Sequence, residues 1–184
     1  GADACNPTAV ARIFEAKGRP SDNPLIVHIG DPAHLRFVAR ELPSHAVRML
    51  KAFMPGPLTL VLPRHRAIPD IVTAGLDTVG VRLPAHPVAQ AFLRACGRPV
   101  AAPSANRSGR PSPTSWQAVV SELDGLIPCV LKGGQSQVGL ESTVVDCSQD
   151  EPLVLRAGAV TLEQLQAELP STRLLSEHTG AARA

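Results

Sequence analysis

Apolar residues recur along the chain at two spacings, one typical of helices and one typical of strands. Val10, Ile13 and Phe14 lie three or four positions apart and predict a helix that follows the N-cap residue Asn6 and ends at Gly18. Further helices are predicted at 86–96, at 162–169, and in segments beginning at Asp31 (with Leu35, Val38 and Leu42 on one face), Ser44 (with Val47, Leu50 and Phe53) and Thr114 (with Trp116, Val119, Val120 and Leu123). Short apolar runs predict strands at 25–29, 58–62, 79–83, 99–102, 128–131, 143–146 and 153–155.

The order of these elements predicts an α/β fold. Helices and strands alternate, but two pairs of strands follow each other closely, which favours a twisted mixed β-sheet flanked by helices. Segments rich in Pro, Ser and Gly predict loops at 103–113 and 133–139. We find no internal repeat or interdomain linker, and we expect the weakly patterned tail after Pro170 to fray.

Composition excludes several classes of protein. The 184 residues carry a formal net charge of +2, so a polybasic arm that binds nucleic acid by charge alone is excluded. The sequence has no apolar run of about 20 residues and no signal-peptide pattern, so we expect no membrane association. The four separated cysteines form no C-x-x-C pair, which favours a reduced, cytoplasmic chain without a metal site.

Four polar features are candidates for chemistry. Arg19 lies in a stiff turn between Gly and Pro, where its guanidinium could be aimed at phosphate, whereas the nearby Lys17 could simply complement the end of a helix. Arg82 interrupts an apolar strand, so it either forms an internal salt bridge or binds a carboxylate. His28 lies in a strand, where a histidine satisfied within the core is the simpler interpretation. The loop at 103–113 carries hydroxyls, an amide and two Arg, which suits a polyanion, although a plain turn has the same composition.

The sequence lacks the standard nucleotide and nucleophile motifs. No G-x-x-x-x-G-K-[ST] phosphate loop, no G-x-G-x-x-G after a strand and no G-x-S-x-G elbow is present. A nucleotide would therefore be held by scattered Arg, Ser and Asn side chains. The chemistry would rest on positioning and charge stabilisation, without a covalent nucleophile.

Six sequence blocks, taken in order, resemble the YrdC-like threonylcarbamoyl-AMP synthase family. The blocks are Lys17-Gly18-Arg19-Pro20 with residues 23–28, then residues 55–59, 81–84, 103–106, 141–146 and 155–158. The resemblance implies condensation of L-threonine, bicarbonate and ATP into threonylcarbamoyl-AMP and pyrophosphate, for the threonylcarbamoyladenosine modification of tRNA. It also implies a concave cleft in a YrdC-like, dsRNA-binding-like fold, Mg²⁺ bound with ATP, a downstream threonylcarbamoyl transferase complex, and tRNA as a further candidate partner.

The resemblance also implies roles for individual residues. ATP-binding positions are Lys17, Arg19, Asn23, Thr78, Ser104, Asn106, Ser112 and Arg156, of which Lys17 and Arg19 are expected to be catalytic. Threonine-binding positions are His28, Arg82, Ala102 and Ser142. The family has a further segment ahead of Gly1, so residues 1–169 are expected to form a YrdC-like catalytic domain without its N-terminal strand. Residues 170–184 are expected to be a C-terminal tail or the start of a linker.

Two other functions fit the same residues. An Arg-lined cleft suits a double-stranded RNA-binding module, although 3% aromatic residues and the low net charge count against this interpretation. Domains similar to this family also transfer carbamoyl groups within larger maturation enzymes, with carbamoyl phosphate as the ligand. Replacing threonine by carbamoyl phosphate in an assay would distinguish a carbamoyl-transfer domain from a threonylcarbamoyl-AMP synthase.

Overall fold

A single mixed sheet of eight strands organises the part of the chain that the computed structural model describes, residues 1–136 and 139–175. The strands are β1 (Ala2–Asp3), β2 (Ile26–His28), β3 (Leu58–Pro63), β4 (Thr78–Arg82), β5 (Val100–Ala102), β6 (Thr143–Asp146), β7 (Leu153–Arg156) and β8 (Arg173–Leu174). The helices are α1 (Pro7–Lys17), α2 (Leu35–Val38), α3 (Ser44–Phe53), α4 (Asp70–Thr73), α5 (Pro87–Cys96), α6 (Trp116–Leu123) and α7 (Leu162–Glu168), with a 3₁₀ turn at Pro32–His34.

The strand order in the sheet is β1-β5-β2-β4-β3-β6-β7-β8. The pairs β2–β4, β3–β6 and β7–β8 are parallel, and the remaining neighbours are antiparallel. The predicted mixed α/β fold is therefore confirmed. Because β2 and β4 run in parallel, His28 pairs with Arg82 at the end where both strands finish.

The two faces of the sheet differ in chemistry. Val27, Val79 and Val81 point to one face, which is buried with the apolar residues of α1, α2, α3, α4 and α7. On β4, successive side chains alternate between faces, so Gly80 and Arg82 lie on the opposite, partly exposed face. This second face forms the floor of a cleft.

Local signals in the sequence place several helix ends correctly. The backbone N–H of Ala9 donates to the Asn6 side chain at the start of α1, and Gly18 ends that helix with a φ of 58°. Thr161 and Gln164 cap each other reciprocally at the start of α7, as their spacing predicts.

Other predicted boundaries are wrong by a residue or a turn. Ser115, and not Thr114, caps α6 by accepting from the N–H of Ala118. The second helix ends at Val38, before Leu42 can join its apolar face. In α3 the prediction is correct for Leu50 and Phe53, which pack partly buried against the core, but the fully buried residues are Ala46 and Met49, and the predicted Val47 is not part of the core.

The predicted strand at 128–131 is absent. This segment lies beside α6, where it shares a groove with Trp116 and Val120, and it pairs with none of the described strands. An apolar run forms a strand only where a partner can accept its hydrogen bonds.

The tail expected to fray instead contributes β8, which pairs with β7. Within the predicted loop at 133–139, residues 137 and 138 lie outside the described residues, as do residues 176–184 of the tail.

Candidate active site

A cleft of about 710 Å³ lies over the partly exposed face of the sheet. It gathers residues from strand ends and loops that are far apart in the sequence. Of the predicted site residues, those that line the cleft are Arg19, Asn23, His28, Arg82, Ala102, Ser104, Ser112, Ser142 and Arg156. The structure thus brings together the predicted nucleotide and threonine positions, with Lys17, Thr78 and Asn106 outside the lining.

Arg82 is a cation whose guanidinium has N–H groups left to bind a ligand. Its Nε donates to the carbonyl oxygen of Gly56 at 3.2 Å, and no carboxylate among the described residues forms an ion pair with it. Burial lowers the pKa of Arg82, and the nearby charge of Arg156 lowers it further. The internal salt bridge considered from the sequence is therefore absent from the described structure. Arg82 can offer its remaining N–H groups to an anion in the cleft.

Arg156, the last residue of β7, is held in the cleft by its neighbours. Its Nε and Nη2 donate to the Ser142 carbonyl oxygen at 3.2 and 2.8 Å, and Nη2 also reaches the Ser142 hydroxyl at 3.2 Å. Its Nη1 pairs with the Glu141 carboxylate at 2.7 Å. Arg156 and Ser142 therefore form one unit that presents both a charge and a hydroxyl.

The turn after α1 fixes Arg19 at the rim of the cleft. Its Nη2 lies 3.4 Å from the carbonyl oxygen of Asn23 and 3.3 Å from that of Pro24. Its Nε is buried and has no partner among the described residues. Burial lowers the pKa of Arg19, and the Asp22 carboxylate acts in the opposite direction. Binding of an anion would satisfy the buried Nε.

His28 is a neutral ring in the floor of the cleft. Burial lowers the pKa of His28 to about 4, and the Arg82 guanidinium adds to the lowering. Its Nδ1 is buried without a hydrogen-bond partner in the described part of the chain. A neutral imidazole can accept or donate one hydrogen bond, so His28 can orient a polar ligand without adding charge.

Side-chain hydrogen bonds from Lys17, in α1, and from Asn106, within the loop, stabilise the loop at 103–113. Lys17 is buried, and its Nζ donates to the backbone carbonyl oxygens of Ser104, at 2.5 Å, and Asn106. The Asn106 side chain donates to the carbonyl oxygens of Arg107 and Arg110 at 2.9 and 2.6 Å. Burial lowers the pKa of Lys17, with the charge of Arg19 acting in the same direction. This geometry fixes the loop that carries Ser104 and Ser112.

Glu122 is a further anchor of the same loop, and no pattern in the sequence pointed to it. Its carboxylate accepts from the Arg110 side chain at 2.7 Å and from the backbone N–H of Arg107 at 3.3 Å. These bonds to Arg110, together with the Arg107 N–H, hold the pKa of Glu122 below its usual value. The partners are 12 and 15 residues away along the chain, so no local motif signals the contact.

Thr78 lies on the same face of β4 as Arg82 but at the other end of the strand, about 13 Å away at the rise of a β-strand. It does not line the cleft, and its role toward ATP stays a prediction. Further lining residues that the sequence did not single out include His86, Thr114, Ser136 and the exposed Leu140.

Comparison with known proteins identifies the family. The Sua5/YciO/YrdC family model, described as telomere recombination, matches residues 1–158. The chain belongs to this family. Among curated relatives in the Sua5/YciO/YrdC family, threonylcarbamoyl-AMP synthase of Pyrococcus abyssi is 48% identical over 174 residues, which are 95% of this chain and 51% of the relative. The Bacillus subtilis protein of the same name is 51% identical over 168 residues, which are 91% of this chain and 49% of the relative.

A solved structure of the family agrees with the fold. The crystal structure of P. abyssi Sua5 complexed with L-threonine superposes with a TM-score of 0.93 at 47% identity and covers 98% of this chain and 53% of that one. The chain spans about half the length of the relatives it matches. Among the described residues, none of the helices is both long and apolar enough to cross a membrane.

Proposed function

We propose that this chain carries the catalytic site of an L-threonylcarbamoyladenylate synthase, which forms threonylcarbamoyl-AMP and pyrophosphate from L-threonine, bicarbonate and ATP. One observation carries the proposal: Arg19, Arg82 and Arg156 converge on a single cleft with neutral hydroxyl and imidazole groups between them. Relatives that are 48% and 51% identical over the matched residues are named threonylcarbamoyl-AMP synthase, and the P. abyssi Sua5 structure is a complex with L-threonine.

The threonine half of the cleft would comprise His28, Arg82, Ala102 and Ser142. Arg82 has N–H groups available for a carboxylate, and a guanidinium matches a carboxylate with two parallel hydrogen bonds. The neutral ring of His28 would supply a polar contact to threonine without adding a second positive charge that competes with Arg82 for the carboxylate. Ala102 would line this half through its backbone and small side chain.

The nucleotide half would comprise Arg19, Asn23, Ser104, Ser112 and Arg156, with Thr78 further along the same sheet face. Lys17 and Asn106 would act by fixing the loop that carries the two serines. Two guanidinium groups would offset negative charge on the triphosphate as pyrophosphate leaves. The threonine amine would first combine with bicarbonate to give a carbamate and water. A carbamate oxygen would then attack the α-phosphorus, and the bond to the β-phosphate oxygen would break.

Mg²⁺ would enter as part of the ATP substrate. Within residues 1–136 and 139–175, no group of three or more His, Cys, Asp or Glu side chains is placed to hold a metal ion. An ion held by phosphate oxygens and water needs no protein cage. We further propose a cytoplasmic location and delivery of the product to a threonylcarbamoyl transferase complex that acts on tRNA, because the product is a reactive mixed anhydride that must be consumed by a group transfer.

Pyrophosphate release is the test of this function. The chain would be assayed with ATP and bicarbonate and with each amino acid in turn, and we expect release to require threonine. Carbamoyl phosphate in place of threonine should give no activity. Salt-sensitive binding of double-stranded RNA without ATP-dependent pyrophosphate release would instead support an RNA-binding module.

A further inference from the structure

Ser142 lies at the centre of a hydrogen-bonded chain that begins in the buried strand β3. Thr59 is fully buried in β3, and its Oγ1 lies 2.9 Å from the Oγ of Ser142. The same Ser142 Oγ lies 3.2 Å from Nη2 of Arg156. Ser142 itself is only 3% exposed, yet it lines the cleft. The three residues therefore connect the interior of the sheet to the ligand face.

The positions of the hydroxyl protons follow from the number of donors and acceptors. A serine hydroxyl has one proton and two acceptor lone pairs, and a guanidinium can only donate. Arg156 therefore fills one lone pair of Ser142. If Ser142 donated its proton to Thr59, the buried hydroxyl proton of Thr59 would lack an acceptor among the described residues. A buried donor without an acceptor is strongly disfavoured.

The opposite arrangement satisfies every group. When Thr59 donates to Ser142, both lone pairs of Ser142 are filled, and its own proton is the remaining donor. Thr59 is buried and does not line the cleft, whereas Ser142 does, so we infer that this proton is directed to a ligand in the cleft. Two donors also polarise the hydroxyl, which makes it a stronger partner for an anionic oxygen.

We propose that Thr59 is a positioning residue that fixes the Ser142 hydroxyl as a hydrogen-bond donor toward the carboxylate or carbamate oxygen of the amino-acid substrate. The proposal rests on the proposed function for the identity of that substrate. Thr59 does not touch the ligand, because it is fully buried beneath Ser142 and does not line the cleft. Its methyl group instead faces the sheet floor, where a Cβ placed on Gly80 would lie 3.3 Å from Thr59 Cγ2.

The two parts of the Thr59 side chain can be removed separately. Thr59→Val keeps the methyl beside Gly80 and removes the hydroxyl, whereas Thr59→Ser keeps the hydroxyl and removes the methyl. We expect Thr59→Val to weaken L-threonine binding about fivefold to tenfold by calorimetric titration, the range for one lost hydrogen bond. Thr59→Ser should stay within about twofold of the original affinity. The KM for ATP should change little, because the two bonds from Arg156 to the Ser142 carbonyl remain.

A double-mutant cycle and a matched control separate this role from a loss of stability. Adding Thr59→Val to Ser142→Ala should weaken threonine binding no further than Ser142→Ala alone. Thr172 is also fully buried and donates to the Leu169 carbonyl oxygen at 2.8 Å, away from the cleft. Thr172→Val should therefore lower Tm without changing threonine affinity.

Three results would overturn the proposal: equal threonine affinity in folded Thr59→Val and the unaltered chain, equal weakening by Thr59→Ser and Thr59→Val, or additive effects in the cycle. Thr59→Ala replaces Thr59→Val if the valine variant does not fold. A chain that binds threonine but releases no pyrophosphate contradicts the proposed function, and the binding comparison still decides the role of Thr59.

Discussion

A guanidinium at the end of an apolar strand costs free energy unless something compensates it, and Arg82 is such a group. The structure supplies one carbonyl oxygen, that of Gly56, to its Nε. The pKa of Arg82 is lowered by burial and by the charge of Arg156, so both disfavour its charged form. An anionic ligand paired with the guanidinium would offset both effects.

Arg82→Ala should raise the KM for threonine by about 10- to 100-fold, because a hydrogen bond to a charged group contributes about 1.5–3 kcal/mol. Arg82→Lys should have an intermediate effect, since an ammonium keeps the charge but cannot form the paired contact. The exposed Arg12 on α1 provides a control, and Arg12→Ala should leave both substrates' KM values unchanged. An unchanged KM for threonine in Arg82→Ala would contradict the assignment of Arg82 to the carboxylate.

The neutral state of His28 makes the stability of the fold depend on pH. The folded chain holds the pKa of His28 at about 4, against 6.5 when unfolded. Between these values the unfolded chain binds more protons, so the free energy of unfolding falls as pH is lowered from about 6.5 to about 4. The urea midpoint should follow this trend, and the loss should be smaller in His28→Gln. Parallel curves for the two proteins would show that another group carries the effect.

At the scale of elements, the loop at 103–113 is the part of the cleft that needs the most external support. It has no regular secondary structure; Lys17 and Glu122 anchor it from α1 and α6, and the Asn106 side chain bridges two carbonyl oxygens within it. A loop fixed this way presents Ser104 and Ser112 without losing conformational entropy on binding. The Lys17 ammonium is therefore a candidate for an indirect role in nucleotide binding.

Lys17→Met replaces the ammonium by an apolar group of similar length. We expect faster amide hydrogen exchange across residues 104–110 and an ATP KM raised by about tenfold or more, because two carbonyl oxygens lose their donor. Exchange measured by mass spectrometry should be unchanged in α7, which lies outside the lining of the cleft. Lost activity with unchanged loop exchange would instead place the ammonium on the nucleotide itself.

The sequence predicted elements well where the signal was local and poorly where it depended on a partner. Asn6, Gly97 and Thr161 act on residues within one helical turn, and the helices they bound were confirmed. The two-residue strands β1 and β8 exist only through pairing with β5 and β7, and no periodicity reveals so short an element. The absent strand at 128–131 is the converse case, since its apolar pattern is present but the segment pairs with none of the described strands.

The same distinction applies to the site. Arg82 could be selected from the sequence because it interrupts an apolar strand, and the family resemblance pointed to Arg156. Both residues end strands, and a sheet brings strand ends together. Thr59 and Ser142 are 83 positions apart, and only the parallel pairing of β3 with β6 brings them into contact. Supporting contacts of this kind could not be predicted from the sequence, because they depend on the register of the finished sheet.

At the scale of the whole molecule, the two faces of the sheet have different roles: one packs the core and the other lines the cleft. Apolar residues on one face pack against the helices and stabilise the fold, and the opposite face places His28 and Arg82 in the lining of the cleft. The described lining residues include three arginines, Arg19, Arg82 and Arg156, but a single carboxylate, that of Glu141. The cleft is therefore positive although the chain as a whole is nearly neutral, at +2. Local charge, and not net charge, should govern how a polyanion is bound.

Ionic strength should consequently affect the two substrates differently. Raising KCl from about 50 mM to about 500 mM shortens the screening length from more than 10 Å to less than 5 Å. We expect the KM for ATP to rise several-fold, because the triphosphate carries several charges into a field set by Arg19 and Arg156. The KM for threonine, a zwitterion, should change less than that for ATP. Initial rates of pyrophosphate release at fixed pH would measure both, and an ATP KM that is independent of salt would contradict an electrostatic role for the cleft.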